Sequence, residues 1–130
     1  MEFQIAAGMT YSFEKTVRKT DTAAFLGSGL LEVFATPAMI TLMEGTALQL
    51  VLPHLPEGFG TVGTEICVKH LKATPLGMKV RCEARLEKAE GKRLFFSVVA
   101  WDEEGKIGEG THTRYIVNTG EFMKRLAGKP

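Results

Sequence analysis

The spacing of apolar residues changes along the chain from alternation to a helical period and then back to alternation. Residues 11–18 alternate as a half-buried strand does, with Tyr11, Phe13 and Val17 on one face. At Thr36–Pro37 a helix is predicted to begin, because threonine caps free amides and proline is tolerated at the first helical position. The apolar stripe behind it is wide and predicts a largely buried helix: Met39, Ile40, Met43, Ala47, Leu48, Leu50 and Val51.

Prolines at positions 53 and 56 end this helix, and from residue 61 onward the period is two. The residues predicted to share one face of the next strand are Val62, Thr64, Ile66, Val68 and His70. Further strands are predicted over residues 80–86, 94–101 and 107–117, with turns at 74–77, 90–91 and 102–105, and a short amphipathic helix over 119–126.

This order of elements predicts an α+β fold. A sheet of antiparallel strands wrapped around one long central helix would bury the wide apolar stripe. With 130 residues the chain has the length of one domain, so we expect residues 1–130 to form a single unit.

Charge and composition exclude several classes of function. The 16 basic and 15 acidic residues nearly balance, which gives no electrostatic basis for nucleic-acid binding, and no polybasic block favours a membrane surface. Residues 1–10 do not resemble a secretory signal, and no run approaches the roughly 18 apolar residues of a membrane span. Cys67 and Cys82 are predicted to be buried free thiols, so a cytoplasmic location is expected.

Three polar residues stand out from this pattern. Glu44 shares the helix stripe with Ile40 and Leu48, where a carboxylate acts either as a base or nucleophile, or reaches solvent or a lysine. His70 lies on an apolar strand face, either as a catalytic or as a structural histidine. Thr36 is explained by capping alone, and its eight-residue separation from Glu44 is roughly 12 Å of helix, too far for direct contact.

Other common sites are missing from the sequence. The His, Cys and carboxylate residues do not show metal-ligand spacing, and neither a Walker loop nor a G-x-S-x-G motif is present. We therefore expect no metal and no cofactor. His54 is predicted to lie at the surface, and His112 shares the parity of Arg114 on the last strand without an assigned role.

Six sequence blocks resemble the hotdog-fold thioesterases of the fluoroacetyl-CoA thioesterase type. They read VFAT, MITLME, GTVGT, ICVKH, ATPLG and IGEGTH and lie at residues 33–36, 39–44, 60–64, 66–70, 73–77 and 107–112. The likeness runs from about residue 33 to residue 115 and keeps the spacing between the blocks. One block alone is a weak signal, whereas all six in register are a specific one.

The resemblance implies roles for individual residues. The family's catalytic threonine, glutamate and histidine fall on Thr36, Glu44 and His70. Its glycine near the thioester carbonyl falls on Gly63, and its active-site arginine falls on Arg114, where a structural ion pair is the alternative. The resemblance also implies a homodimer with active sites at the subunit interface, which would answer the distance problem between Thr36 and Glu44.

One position departs from the family pattern and bears on the substrate. The fluoroacetyl-specific enzyme carries a phenylalanine in its lid, and Leu30 stands at the matching position here. Without that aromatic gate we expect an ordinary acyl-CoA as substrate, with Leu30 and Phe34 helping to shape the acyl pocket.

The sequence therefore predicts an acyl-CoA thioesterase that releases a small or medium free acid and coenzyme A, the latter as part of the substrate and not as a cofactor. Two other classes stay open at this point. One is a hotdog protein that binds acyl-CoA without turnover. The other is a dehydratase or hydratase of acyl thioesters, which usually pairs histidine with aspartate.

Overall fold

A computed structural model describes residues 3–128, and these residues form one antiparallel sheet around a long helix. The elements are β1 (Thr10–Thr16), α1 (Ala23–Leu26), α2 (Thr36–Val51), β2 (Phe59–His70), β3 (Lys79–Glu90), β4 (Arg93–Asp102), β5 (Gly105–Asn118) and α3 (Thr119–Ala127). In this part of the chain five strands pair in the order β1-β3-β4-β5-β2, so β1 and β2 are the two edges. The predicted architecture is confirmed.

Helix α2 supplies one side of the core, and β3, β4 and β5 supply the other. Met39, Met43 and Ala47 are fully buried, and each buried methionine side chain stabilises the fold by roughly 1.5–3 kcal/mol. The buried stripe differs from the predicted one at two places, since Ile40 and Leu48 are only half-buried. Leu42 and Thr46 are buried in their place, so the buried face is rotated away from Glu44.

Strand β1 is covered less well than its alternation predicts. Tyr11 and Phe13 point to the helix side of the sheet, yet they remain 39% and 46% exposed. They line an open groove of about 630 Å³ between β1 and α2. Val17, beyond the end of the strand, is buried as expected.

A β-bulge in β2 overturns part of the predicted strand face. Gly63 pairs with Arg114 and Glu65 pairs with Thr113, so Thr64 is an extra residue. One inserted residue reverses the side-chain parity on either side of it. Val62 and Thr64 therefore do not share the inward face of Ile66, Val68 and His70, as the unbroken alternation had predicted. Gly63 takes the inward position and faces the helix.

Smaller features complete the comparison with the sequence. Cys82 is a buried free thiol as predicted, whereas Cys67 is exposed because it lies on the outward face of an edge strand. The exposed His54 lies in a 3₁₀ turn after α2. The short helix α1 is not among the elements that the sequence predicts. Within the described residues, no helix combines the length and apolar character that a membrane crossing requires.

Candidate functional site

Thr36 and His70 are joined by a hydrogen bond where the start of α2 meets the end of β2. Thr36 Oγ1 lies 2.7 Å from His70 Nδ1. The sequence predicted Thr36 as the N-cap, but Thr36 is the first residue of the helix. Ala35 occupies the cap position in an extended conformation, with its amide bonded to the Asp21 carbonyl, and it makes no side-chain cap. The Thr36 hydroxyl is therefore available to the histidine.

The His70 ring borders a small cavity and keeps one nitrogen free. The cavity has a volume of about 370 Å³, and its walls include Phe34, Thr36, Leu71 and Lys72. Among the described residues, no group hydrogen-bonds to the buried Nε2 of His70. Burial of the ring lowers the pKa of His70 and outweighs the opposing backbone contact with Lys72, so the neutral imidazole is favoured near pH 7. A neutral ring with an unpartnered nitrogen is suited to exchange a proton with a molecule that reaches that nitrogen.

Glu44 lies on the half-buried flank of α2, over Gly63 of β2. Its side chain is 40% exposed, so the carboxylate is neither sealed in the core nor fully hydrated. A β-carbon at position 63 would lie 2.8 Å from Glu44 Oε2. The sequence left open an ion pair with lysine, but the charged or ionisable neighbours here are His112, 4.0 Å from Oε2, and Arg114.

Arg114 is held on three sides beneath this carboxylate. Its Nε donates to Thr61 Oγ1 at 2.7 Å, its Nη2 donates to the Thr61 carbonyl at 3.1 Å, and its Nη1 lies 3.1 Å from His112 Nε2. Burial lowers the pKa of Arg114 and the charge of Glu44 opposes this shift, but a guanidinium stays charged in proteins. The cluster thus holds a fixed positive charge next to a half-exposed negative one.

Thr61 and His112 belong to this cluster, although the sequence did not predict a role for either. His112 is 1% exposed and pairs with Ile66 across the β2–β5 ladder, while Thr61 pairs with Ile116. The shared parity of His112 and Arg114 was the available signal. Its meaning depended on the bulge in β2, which alternation alone does not reveal.

The predicted site residues form two groups in one chain. Thr36 and His70 form the first, with the buried Phe34 beside them in the cavity wall. Glu44, Gly63 and Arg114 form the second. Eight residues of helix, roughly 12 Å of rise, separate Thr36 from Glu44. Leu30 is 94% exposed in the loop before α2 and lines neither group.

Comparison with known proteins identifies the family. The family described as fluoroacetyl-CoA-specific thioesterase matches residues 17–120. The fluoroacetyl-CoA thioesterase of Streptantibioticus cattleyicolor is 42% identical over 98 residues, which are 75% of this chain and 70% of that protein. A crystal structure of the fluoroacetyl-CoA thioesterase FlK superposes with a TM-score of 0.91 at 34% identity, covering 97% of this chain and 98% of that one.

A more distant structure agrees on the fold. A hot-dog-like protein from Thermanaerovibrio acidaminovorans has a TM-score of 0.85 at 30% identity, over 94% of this chain and 90% of that one. These relatives favour a thioesterase over a protein that binds acyl-CoA without turnover. The chain belongs to the fluoroacetyl-CoA-specific thioesterase family and, as its sequence predicted, is a thioester hydrolase with the hotdog fold.

Proposed function

We propose that this protein hydrolyses a small or medium acyl-CoA in the cytoplasm, with Thr36, Glu44 and His70 as its catalytic residues and without a metal or cofactor. The observation that carries the proposal is the position of Glu44. Its half-exposed carboxylate lies over a glycine and faces a buried arginine, yet the two make no direct ion pair among the described residues. Such a carboxylate is open to substrate and still electrostatically supported.

Glu44 drives the reaction at the acyl carbon. The carboxylate either attacks the thioester carbonyl itself or takes a proton from an attacking water, and both routes form a C–O bond while the C–S bond breaks. After direct attack the acyl group is held on Glu44 as an anhydride, which water then cleaves to release the free acid and restore the carboxylate. Negative charge develops on the carbonyl oxygen during the attack. The Gly63 amide and the Arg114 guanidinium are the groups assigned to stabilise it, because both lie where Glu44 meets the sheet.

His70 and Thr36 act on the leaving group. The bond between Thr36 Oγ1 and Nδ1 fixes the ring and leaves Nε2 as the unpartnered position. The neutral ring takes a proton from water at Nε2 and passes it to the departing thiolate of coenzyme A, which returns the ring to its neutral form. Thr36 also orients the carbonyl or water that Glu44 acts on. Thr36 and His70 both border the cavity beside the start of α2.

A homodimer unites the two groups. Strand β2 is an edge strand that carries Gly63 near its middle and His70 at its C-terminal end. If two β2 strands pair antiparallel about a two-fold axis at Cys67, Glu65 of each subunit lies opposite Lys69 of the other, which is a favourable cross-strand charge pair. Gly63 of the partner subunit then lies within one residue of the position opposite His70. The catalytic groups of one active site would thus come from both subunits.

Oxidative cross-linking tests this pairing. Directly opposed residues have β-carbons roughly 4.5–5.5 Å apart, close to disulfide range, so exposed Cys67 should link to its own copy under mild oxidation. Non-reducing gels should show a dimer that Cys67→Ser abolishes. Cys82→Ser is the matched control and should change nothing, because burial raises the pKa of the Cys82 thiol to about 11. A dimer in solution that gives no Cys67 cross-link would contradict this axis.

Leu30 sets the proposed substrate range. It is an exposed aliphatic residue in the loop before α2, and it needs the partner subunit or a loop movement to reach the cavity beside His70. A leucine leaves more room than a phenylalanine, so acyl groups larger than fluoroacetyl fit, while the buried Phe34 bounds the cavity from within. Fluoroacetyl-CoA is therefore not expected to be the preferred substrate.

The deciding experiment measures thiol release from a panel of acyl-CoA esters, including acetyl-, fluoroacetyl- and medium-chain esters. Glu44→Gln should lower kcat by about 10²-fold or more, because the neutral amide neither attacks nor accepts a proton. Glu57→Gln, an exposed loop glutamate, is the matched control and should keep full activity. Leu30→Phe should narrow the panel towards the smallest acyl groups. Hydrolysis that survives in Glu44→Gln would overturn the assignment.

A further inference from the structure

His112 is a buried histidine to which the proposed reaction assigns no step. Its side chain has no exposed surface, and its ring stacks on Phe96 with the centroids 6.1 Å apart and the planes at 30°. Two hydrogen bonds use both ring nitrogens. Nδ1 lies 2.7 Å from the Glu65 carbonyl, and Nε2 lies 3.1 Å from Arg114 Nη1.

These two contacts fix the protonation of the ring. A carbonyl only accepts, so Nδ1 must carry the proton, and a guanidinium only donates, so Nε2 must present its lone pair. A doubly protonated ring would direct an N–H at a cation. Burial lowers the pKa of His112, and the charge of Arg114 lowers it further. The hydrogen bond to the Glu65 carbonyl and the charge of Glu44 raise this pKa, but they do not outweigh the lowering. The neutral form follows from geometry and charge together.

The bulge in β2 makes the arrangement possible. The extra residue, Thr64, falls between the pairs Gly63–Arg114 and Glu65–Thr113, and the Glu65 carbonyl just after it accepts the hydrogen bond from Nδ1. His112 therefore connects the irregular part of β2 to the guanidinium. Thr61 holds the same guanidinium from the other side of Gly63.

The geometry points to His112 as a positioning residue: its neutral ring, together with Thr61, holds the Arg114 guanidinium over Gly63 and keeps it from closing onto Glu44. A β-carbon at Gly63 would lie 2.8 Å from Glu44 Oε2 and 3.2 Å from Arg114 Nη1, so both charges border one small space. Opposite charges this close would otherwise form a direct pair. The space between them is kept for the reacting carbonyl or water. This inference rests on the proposed role of Glu44.

Three substitutions separate the two hydrogen bonds of the ring. His112→Gln places an amide oxygen near the Nε2 position and can still accept from Arg114, but it gives up the Glu65 bond. His112→Asn places an amide N–H near the Nδ1 position and keeps the bond to the Glu65 carbonyl, but it loses the hydrogen bond from Arg114. His112→Phe keeps the shape of the ring and loses both. His54→Gln, at the surface, is the control.

Each variant is assayed for kcat, KM and thermal unfolding on the best substrate of the panel. Because a misplaced group costs rate steeply, His112→Asn and His112→Phe should lose about tenfold or more in kcat with little change in KM, while His112→Gln stays within about threefold of wild type. A variant with Asn or Phe that keeps kcat would overturn the inference. So would a Gln variant that folds normally and loses as much rate as the Phe variant.

A second measurement does not depend on activity or on variants that fold. Long-range ¹H–¹⁵N spectra of the wild-type protein report which imidazole nitrogen is protonated. The expected result is a neutral His112 with its proton on Nδ1 across neutral pH, and a proton on Nε2 would overturn the inference. Glu44→Gln in the thiol-release assay separates this inference from the proposed role of Glu44. Full activity in that variant would defeat the role of Glu44, while the spectra would still test how His112 holds Arg114.

Discussion

The missing side chain at position 63 lets three polar groups share one small space. A β-carbon there would lie 2.8 Å from Glu44 Oε2 and 3.2 Å from both Arg114 Nη1 and His112 Cε1. The tightest of these contacts involves the free end of a flexible side chain. An added methyl group would therefore push the carboxylate aside and leave the backbone in place.

Gly63→Ala should accordingly separate activity from stability. We expect kcat to fall by about tenfold or more because Glu44 is displaced, while the free energy of unfolding changes by less than about 1 kcal/mol. Kinetics and urea unfolding on the same preparations measure both. Gly45→Ala is the matched control: an added β-carbon meets nothing within 4 Å there, and the gain in helix propensity should stabilise the protein by up to about 1 kcal/mol. Full activity in Gly63→Ala would argue against the proposed position of the carboxylate.

At this scale the sequence revealed the residues that break a pattern. Glu44 and His70 were visible because each is polar among apolar neighbours on its own element. His112 and Thr61 were not, because their importance comes from contacts across the β2–β5 ladder. Thr36 was recognised as a helix start but misread as a cap, since a single sequence does not show that His70 lies within reach of its hydroxyl.

At the scale of elements, the sequence predicted α2 and the strands because each has a strong period. It did not predict the bulge in β2, which one extra residue creates without changing composition. The glycines at 108 and 110 are a second feature whose role the sequence does not reveal. A β-carbon at Gly110 would collide with the Cys67 carbonyl, and one at Gly108 with the Met39 side chain, so these glycines let β5 approach β2 and α2. Their reason is visible only once the elements are packed.

The turn between β4 and β5 supports the His70 end of the site through Asp102. The buried carboxylate accepts from Lys72 at 2.9 Å and from Thr74 at 2.9 Å, and from the amide of Glu104 at 2.8 Å. Burial alone raises the pKa of Asp102, but these three donors outweigh it and leave the pKa below its ordinary value. The Thr74 carbonyl in turn accepts from the amide of Phe34, two residues before Thr36.

Asp102→Asn should destabilise the protein, and the effect should depend on pH. At pH 7 we expect a loss of about 1–3 kcal/mol, because an amide group meets donors that need an acceptor. The pKa is lower in the folded than in the unfolded chain, so the wild-type advantage is present at neutral pH and fades as pH falls through the folded-state value, below about pH 4. Urea unfolding from pH 7 to pH 3 measures both. Glu109→Gln, which removes the exposed pair with Lys106, should change stability by less than about 0.5 kcal/mol; an equal effect would contradict the role of Asp102.

At the scale of the whole molecule, one chain carries two incomplete halves of a site. Gly63 and His70 are seven positions apart on β2, a distance of roughly 23 Å, although polar partners surround each of them. The pattern of apolar residues reports what one chain buries within itself. It carries no comparable signal for the partner of an edge strand, which is why the dimer came from resemblance and remains a proposal.

Mixed dimers test whether each active site is built from residues of both subunits. If Thr36 and His70 act with Glu44 of the partner subunit, a dimer of Thr36→Ala with Glu44→Gln has one site with both changes and one intact site. Half the dimers in an equal, randomly assorted mixture are of this kind, so about a quarter of wild-type activity should return from two nearly inactive proteins. Thr36→Ala mixed with His70→Ala is the matched control: these residues belong to the same half, so each site keeps one defect and no activity should return. Recovery only in the first mixture requires an active site shared between subunits, and recovery in neither confines the chemistry to a single chain.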